Sequence, residues 1–335
     1  MLFDVVLPLA GGLVLLVLGG EFLVRGAVQV AERFGVSPLL IGLTLVGFGT
    51  STPELVTSVQ AALIGSSGIA VGNIVGSNLA NILLILGLSA IVFPVAVSSS
   101  ALKRDGTLVV LTAVALTAVG LLWSLDRIVG SLFLAGLVSY IVFAWRQERV
   151  VGGLPAGEHT AAYERAEAFE QLHAPVLKPD AEAVKAISIP VSLGMALGGL
   201  VLVVFGGKFF VDGAVSLARG FGISETVIGL TIVAVGTSMP EFVTSIVAAL
   251  RKQSDIALGN ILGSNIYNIL GIGGITALIA PTEVPRQIAT FDNLVMVGIS
   301  AALLVMARTG WKIGRVEGAV LVSGYVGYVW WIWPK

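Results

Sequence analysis

Two carboxylates stand alone in long apolar stretches. Between Ser37 and Leu102 the one charged side chain is Glu54, and between Thr226 and Ala249 it is Glu241. Both occupy the same setting, GTSTPELVTS at 49–58 and GTSMPEFVTS at 236–245. A carboxylate at the centre of a bilayer costs about 2.5 kcal/mol or more, so it faces a partner or a polar cavity and marks a pathway. Pro53 offers no N–H and clashes with the preceding turn, and Gly47 and Gly49 loosen the chain before it. The helix is therefore expected to break near Gly49–Pro53, freeing carbonyls such as that of Thr50. Irregular backbone at that depth survives only where it is buried in protein or lines a polar cavity. Free carbonyls, the hydroxyls of Thr50 and Ser51 and one carboxylate form an all-oxygen environment, which suits a hard cation such as Ca²⁺ or Na⁺.

The second stretch supplies the other half of a cage, with Glu241, Thr237 and Ser238 facing Glu54 across a pseudo-two-fold axis near the midplane. Two further segments, GNIVGSNLAN at 72–81 and GNILGSNIYN at 259–268, carry Asn73, Ser77 and Asn81 and their counterparts Asn260, Ser264 and Asn268. Ser77 and Asn81 are four residues apart and share a helix face, as do Ser264 and Asn268. These hydroxyls and amides complete the candidate ligand set. The glycines in the same segments also fit close helix packing.

The elements that position these groups follow from composition. The chain has 335 residues, 56% hydrophobic and 12% charged, with a mean hydropathy of +0.98. A soluble domain carries about 25% charged residues, so this is an integral membrane protein. A net charge of −1 without a basic patch excludes a nucleic-acid binder, and with no cysteine there is neither a disulfide framework nor a thiolate metal site. The start, MLFDVVLPLAGG, lacks the basic region of a cleaved signal peptide, so the first apolar segment is expected to remain as a span.

Segmentation at Gly, Pro and charge clusters gives ten spans, at roughly 5–31, 38–64, 68–95, 106–123, 128–145, 187–217, 225–250, 255–280, 289–307 and 314–333. The halves repeat at an offset of 187: TSTPELVTS and TSMPEFVTS agree at seven of nine positions, and the GN…N segments at seven of ten. The correspondence extends back through 18–35 and 205–222. Five spans per half is an odd number, so the second half must enter from the opposite side, giving inverted repeats of the kind that characterise secondary transporters. The expected fold is an all-α membrane protein of ten transmembrane helices, two inverted five-helix repeats with broken helices at the midplane. Its divisions are 1–146, a cytoplasmic linker at 147–185, and 186–335.

Basic residues orient it. With both termini outside, the inner loops hold Arg33, Lys103, Arg104, the linker's basic residues, Arg251, Lys252, Arg308, Lys312 and Arg315, while the outer ones keep Arg127, Arg219, Arg286 and Lys335. The linker carries both histidines, His159 and His173, and the charged run YERAEAFEQ at 163–171. It reads as a solvated connection with a short surface helix.

At the signature residues the sequence resembles the cation/calcium exchanger superfamily, in its prokaryotic sodium/calcium exchanger-like branch. The resemblance is carried by G-T-S-x-P-E at 49–54 and 236–241 and by G-N-x-x-G-S-N-x-x-N at 72–81 and 259–268. It implies Na⁺/Ca²⁺ antiport by alternating access in the plasma (inner) membrane. Glu54 and Glu241 would be central ligands, Thr50 and Thr237 would offer backbone oxygens, and Ser51, Ser77, Ser238 and Ser264 would serve Na⁺. Several relatives have aspartate where this chain has Asn268, matching Asn81 in the first half, and the potassium-dependent branch relies on that acid; K⁺ co-transport is therefore not expected. Proton-coupled Ca²⁺ exchange stays open as the alternative, and a passive channel would show flux without a counter-ion. An enzyme is not expected, since no nucleophile–base pair lies in the spans. No cofactor is implied: Ca²⁺ and Na⁺ are transported substrates of a monomer embedded in lipid.

Overall fold

A computed structural model describes residues 5–35, 38–150, 159–168 and 189–334. Apart from a pair of two-residue strands and an isolated bridge, the regular structure is helical. The helices are α1 (Leu7–Arg33), α2 (38–63), α3 (Ser67–Val92), α4 (Leu102–Leu122), α5 (Arg127–Val150), α6 (Ile189–Phe221), α7 (225–250), α8 (Ser254–Ile279), α9 (Ile288–Arg308) and α10 (Arg315–Ile332), with a short linker helix at 161–168 between α5 and α6. Seven are long and apolar enough to cross a membrane, and α7, bent by 51° between Glu225–Thr237 and Met239–Leu250, makes an eighth.

α2 and α7 break where proline and glycine flank the carboxylates. Ser51 (φ −90°, ψ 12°) and Ser238 (φ −81°, ψ 12°) leave helical geometry, and Pro53 and Pro240 open the following segments. Each proline lacks the N–H that the carbonyl four residues earlier would accept. A π-helical turn precedes each break, at Gly42–Val46 and Gly229–Val233, and another interrupts α3 and α8 at Ala80–Leu86 and Tyr267–Gly273. Both pairs repeat at the offset of the sequence duplication. The sequence pattern carries no trace of them, because one extra residue in a turn of a mostly apolar, enclosed helix changes no hydrophobic periodicity.

Burial orders the helices. In α3 and α8, 83% and 89% of the most apolar window is enclosed, against 28% in α1 and 22% in α6. α1 and α6 pack antiparallel along a glycine seam: a Cβ on Gly12 would lie 2.5 Å from the Phe210 nitrogen, on Gly19 2.7 Å from the Val203 nitrogen, and on Gly26 2.5 Å from the Ala196 nitrogen. Gly199, on the facing side, meets the Leu23 nitrogen and the Gly19 carbonyl. Small residues let helix backbones approach where water supplies no driving force.

Contacts between connections fall into two groups. Val95–Ala96, after α3, pairs antiparallel with Lys312–Ile313, after α9, and Arg104 at the start of α4 donates to the His159 carbonyl of the linker. In the other group, Ser66 before α3 donates to Glu225 at the start of α7, and Leu125 after α4 bridges Thr282 after α8.

The linker departs from expectation. His159 is half-buried, and Thr160, Ala161, Ala162, Glu164, Arg165 and Ala168 are buried, so this part of the linker is not a solvated surface helix. Backbone contacts hold it there, because its first N–H groups find acceptors inside the protein. His173, residues 169–171 of the charged run and the rest of the linker lie outside the described residues.

The glycine seam is open to test. Gly199→Leu should force α1 and α6 apart at a cost of about 1–3 kcal/mol, whereas Gly198→Leu, with nothing within 4 Å of its Cβ position, should be tolerated. Thermal unfolding of the detergent-solubilised variants should show a lowered midpoint for the first alone.

Candidate functional site

The two breaks meet the middle of α3 and α8, and every sequence-predicted site residue is buried there: Thr50, Ser51, Glu54, Ser77, Asn81, Thr237, Ser238, Glu241, Ser264 and Asn268 are at most 3% exposed. Asparagines clasp the carboxylate-bearing turns. Asn73 Nδ2 donates to the Glu54 carbonyl (3.1 Å) and Ser58 Oγ (2.9 Å). Asn260 Nδ2 makes the same bonds to the Glu241 carbonyl (3.2 Å) and Ser245 Oγ (2.9 Å). A buried amide satisfied in this way fixes the start of the second half-helix, and with it the carboxylate one residue past the proline.

The halves brace each other. Ser238 Oγ, at the α7 break, donates to Glu54 Oε1 (3.1 Å), and Thr237 Oγ1 donates to Asn73 Oδ1 (2.9 Å). Ser264 Oγ lies 3.5 Å from Glu241 Oε1 and Ser77 Oγ 3.5 Å from the Ala234 carbonyl. Asn81 Nδ2 donates to Asn265 Oδ1 (2.9 Å), and Asn268 Oδ1 accepts from Ser51 Oγ at 3.5 Å. Glu54 Oε2 and Glu241 Oε2 have no protein partner among the described residues. Two carboxylates, hydroxyls and amide oxygens are thus gathered in one buried network, with the oxygen donors that suit a hard cation.

One residue here was not foreseen. Arg165, reaching in from the linker helix and fully enclosed, donates through one Nη to Thr50 Oγ1 (2.5 Å), Ser51 Oγ (2.6 Å) and Glu241 Oε1 (3.3 Å). Its guanidinium carbon stands 4.8 Å from the centre of the Tyr267 ring, a cation–π contact, while that phenol donates to the Leu43 carbonyl at 2.5 Å. An arginine within a charged linker run carries no sequence signal that separates it from a solvated one.

The linker helix is seated on buried polar groups. Ala161 N–H donates to Asp105 Oδ2 (3.0 Å) and Ala162 N–H to the Tyr140 hydroxyl (3.2 Å), which itself donates to Asp105 Oδ1 (3.0 Å). Glu148 receives Thr160 N–H (2.7 Å) and Thr160 Oγ1 (3.0 Å) and sits 2.7 Å from His159 Nδ1. Thr160 caps the helix by accepting Tyr163 N–H at 3.4 Å. Glu164 lies against Gly259, and burial first, then neighbouring Asp255, pushes its carboxyl well above the usual carboxylate range. Asp105 has a counterpart 187 residues on, Asp292, which accepts the Tyr328 hydroxyl (2.9 Å). The duplication could have revealed this acid pair, each member lying in a π-helical turn at a helix start.

A cavity of ≈ 390 Å³ adjoins the breaks, lined by residues that include Gly20, Glu21, Thr50, Pro53, Pro240 and Thr244. It lies between α1 and the two broken helices and shares Thr50 with the site.

The geometry has known relatives. A family model described as sodium/calcium exchanger protein matches residues 5–146 and 191–333. The chain is 38% identical over 326 residues to a putative antiporter, CaxA, of Alkalimonas amylolytica, and 36% identical over 336 residues to the sodium/calcium exchanger MaX1 of Methanosarcina acetivorans, with 95% of each chain covered in both cases. Its fold matches a structure of the sodium-calcium exchanger NCX_Mj at a TM-score of 0.59 and 31% identity, covering 97% of this chain and 98% of that one. With nearly its whole length matched, the chain is a multi-pass membrane protein that belongs to the sodium/calcium exchanger family, a family of ion exchangers rather than enzymes.

Proposed function

We propose that this chain exchanges Na⁺ for Ca²⁺ across the plasma membrane by alternating access, with Glu54 and Glu241 as the central ligands. The observation that carries the reading is the enclosed network in which two helix breaks set both carboxylates among Thr50, Ser51, Ser77, Asn81, Thr237, Ser238, Ser264 and Asn268. Two ionised carboxylates repel each other in a low-dielectric interior. One Ca²⁺ neutralises them, and so do two Na⁺. Cations competing for one pair of charges exclude each other, which is the physical basis of antiport.

The proposed topology has ten spans in two inverted five-helix repeats, 1–146 and 186–335, joined by the linker at 147–185. Supporting it, the contacts between connections seen among the described residues join segments that ten alternating crossings put on one face. Ten crossings would put the turn after α3, the turn after α9 and the linker on one side and the turns before α3, before α7, after α4 and after α8 on the other, as the contacts Val95–Ile313, Arg104–His159, Ser66–Glu225 and Leu125–Thr282 require. The basic residues assign the first side to the cytoplasm and both termini to the outside. The antiparallel seam of α1 and α6 suits a pair that slides as one body beside the site, because glycine-to-backbone contact presents no side-chain ridges.

Glu54→Gln and Glu241→Gln should each abolish exchange while leaving a protein that elutes as a single species, since a neutral amide keeps the shape and removes the charge Ca²⁺ requires. The measurement is radioactive Ca²⁺ uptake into Na⁺-loaded proteoliposomes on dilution into Na⁺-free medium; uptake by both variants would sink the site. The same vesicles separate the couplings. Uptake from Na⁺-loaded but not from acid-loaded or K⁺-loaded vesicles is expected, and uptake driven by acid alone would make the chain a proton-coupled Ca²⁺ antiporter.

A further inference from the structure

We infer that Arg165 is a tethered counter-cation of the transport site: it occupies, from the linker, the place among Thr50, Ser51 and Glu241 that Ca²⁺ requires, and it must withdraw with the linker helix before Ca²⁺ binds. The inference rests on reading Glu54 and Glu241 as the transport ligands, and three observations carry it.

The first is chemical. The Arg165 Nη that donates to Thr50, Ser51 and Glu241 sits among oxygens a bound cation would take as ligands. Its charge offsets one of two buried carboxylates, so the set is left with one net negative charge. That remainder suits a monovalent cation at Glu54, whereas a divalent ion would stand beside a guanidinium in a low-dielectric volume. Nε and the other Nη of Arg165 have no protein partner among the described residues. A buried guanidinium with unsatisfied donors is costly, so its seat depends on the negative charge it meets there.

The second is that the dock is built. Backbone N–H groups of residues 160–162 are received by Glu148, Asp105 and Tyr140, and Arg104 donates to the His159 carbonyl. In the second half the acid equivalent to Asp105, Asp292, keeps its tyrosine, while its Oδ2 has no protein partner among the described residues. In the first half that same oxygen is shared between Ala161 N–H of the linker helix and Arg104, whose Nε (3.1 Å) and Nη2 (2.9 Å) donate to it.

The third is the broken symmetry of the two halves. Gly72 and Gly76 of α3 press on Gly229 and Leu230 of α7. Their counterparts on α8, Gly259 and Gly263, are covered instead by Glu164, by the Ala161 carbonyl and by the Arg165 stem. Thr237 donates to Asn73 Oδ1, but Thr50, which would do the same for Asn260, is engaged by Arg165, and Asn260 Oδ1 is left without a protein partner. The linker helix fills the crevice between α8 and the first half of α2, and the mismatched bonds are the ones at its tip.

The test uses the purified full-length protein with Ca²⁺ as the probe. Hydrogen exchange should show the amides of 159–168 exchanging faster at saturating Ca²⁺ than without it, because binding and docking oppose each other reciprocally. In Na⁺-loaded proteoliposomes, Arg165→Gln should lower the Ca²⁺ concentration for half-maximal uptake by about tenfold, the scale of one buried charged hydrogen bond. Glu148→Ala, which loosens the dock without touching the site, should shift it in the same direction. Unchanged protection of 159–168 with Ca²⁺, together with unchanged half-saturation in Arg165→Gln, would overturn the proposal while the loss of exchange in Glu241→Gln kept the site reading intact. Exchange surviving in both glutamate variants would instead remove the site reading, and this proposal with it.

Discussion

Two carboxylates buried in one polar network carry more negative charge than the single buried arginine beside them offsets, and the rest of the architecture answers to that constraint. Each acid is placed by a proline that ends hydrogen bonding from one side and an asparagine that restores it from the other. Asn73 and Asn260 hold the carbonyls of the very residues whose side chains carry the charge. The turn after each break is therefore held from both sides. The break converts two turns of helix into a rigid oxygen-lined corner, with the enclosed α3 and α8 as its walls. α1 and α6, joined by glycines and more exposed than α3 and α8, pack on the outer side of that corner, with Val24 against Gly49 and Gly207 against Val56.

The duplication makes the halves comparable, and the comparison exposes a difference in state. Where α3 meets the first half of α7 the glycines are in backbone contact; where α8 would meet the first half of α2 the linker helix stands between them. One sequence pattern thus adopts a closed arrangement on one side and an opened, filled arrangement on the other. Two packings available to one motif are what alternating access demands, since exchanging them between halves transfers the opening from one face to the other. In the filled half, oxygens of the proposed site are met by a guanidinium belonging to the chain itself.

Much of this was legible beforehand, for identifiable reasons. Glu54 and Glu241 stood out because nothing else charged lies near them, the breaks at Ser51 and Ser238 because glycine and proline act locally, and the pairing of halves because the duplication preserves spacing. The π-helical turns were hidden, because an inserted residue in a helix enclosed on all sides changes no hydrophobic periodicity. Asp105 and Asp292 were passed over because each sits at a span's edge, where an acid is ordinarily solvated, although their common offset of 187 was available. Arg165 was the deepest omission. Its neighbours Tyr163, Glu164 and Glu167 make a run that reads as surface, and only three-dimensional packing separates the arginine facing Glu241 from one facing water.

The placement of the anchor explains how such a plug can be both secure and removable. Polar contacts at residues 159–162 lie within about a turn of Arg165, so the helix is held at its start while its working side chain sits at the next turn. None of the anchoring groups is a ligand of the proposed site. The strength of the dock can therefore change without altering the carboxylates, and the carboxylates can exchange one cation for another without dismantling the dock's acceptors. Separate determinants acting on a shared equilibrium are the condition for coupling between two sites. In the inferred coupling the second site is the face of the linker, and the first is the charge between Glu54 and Glu241.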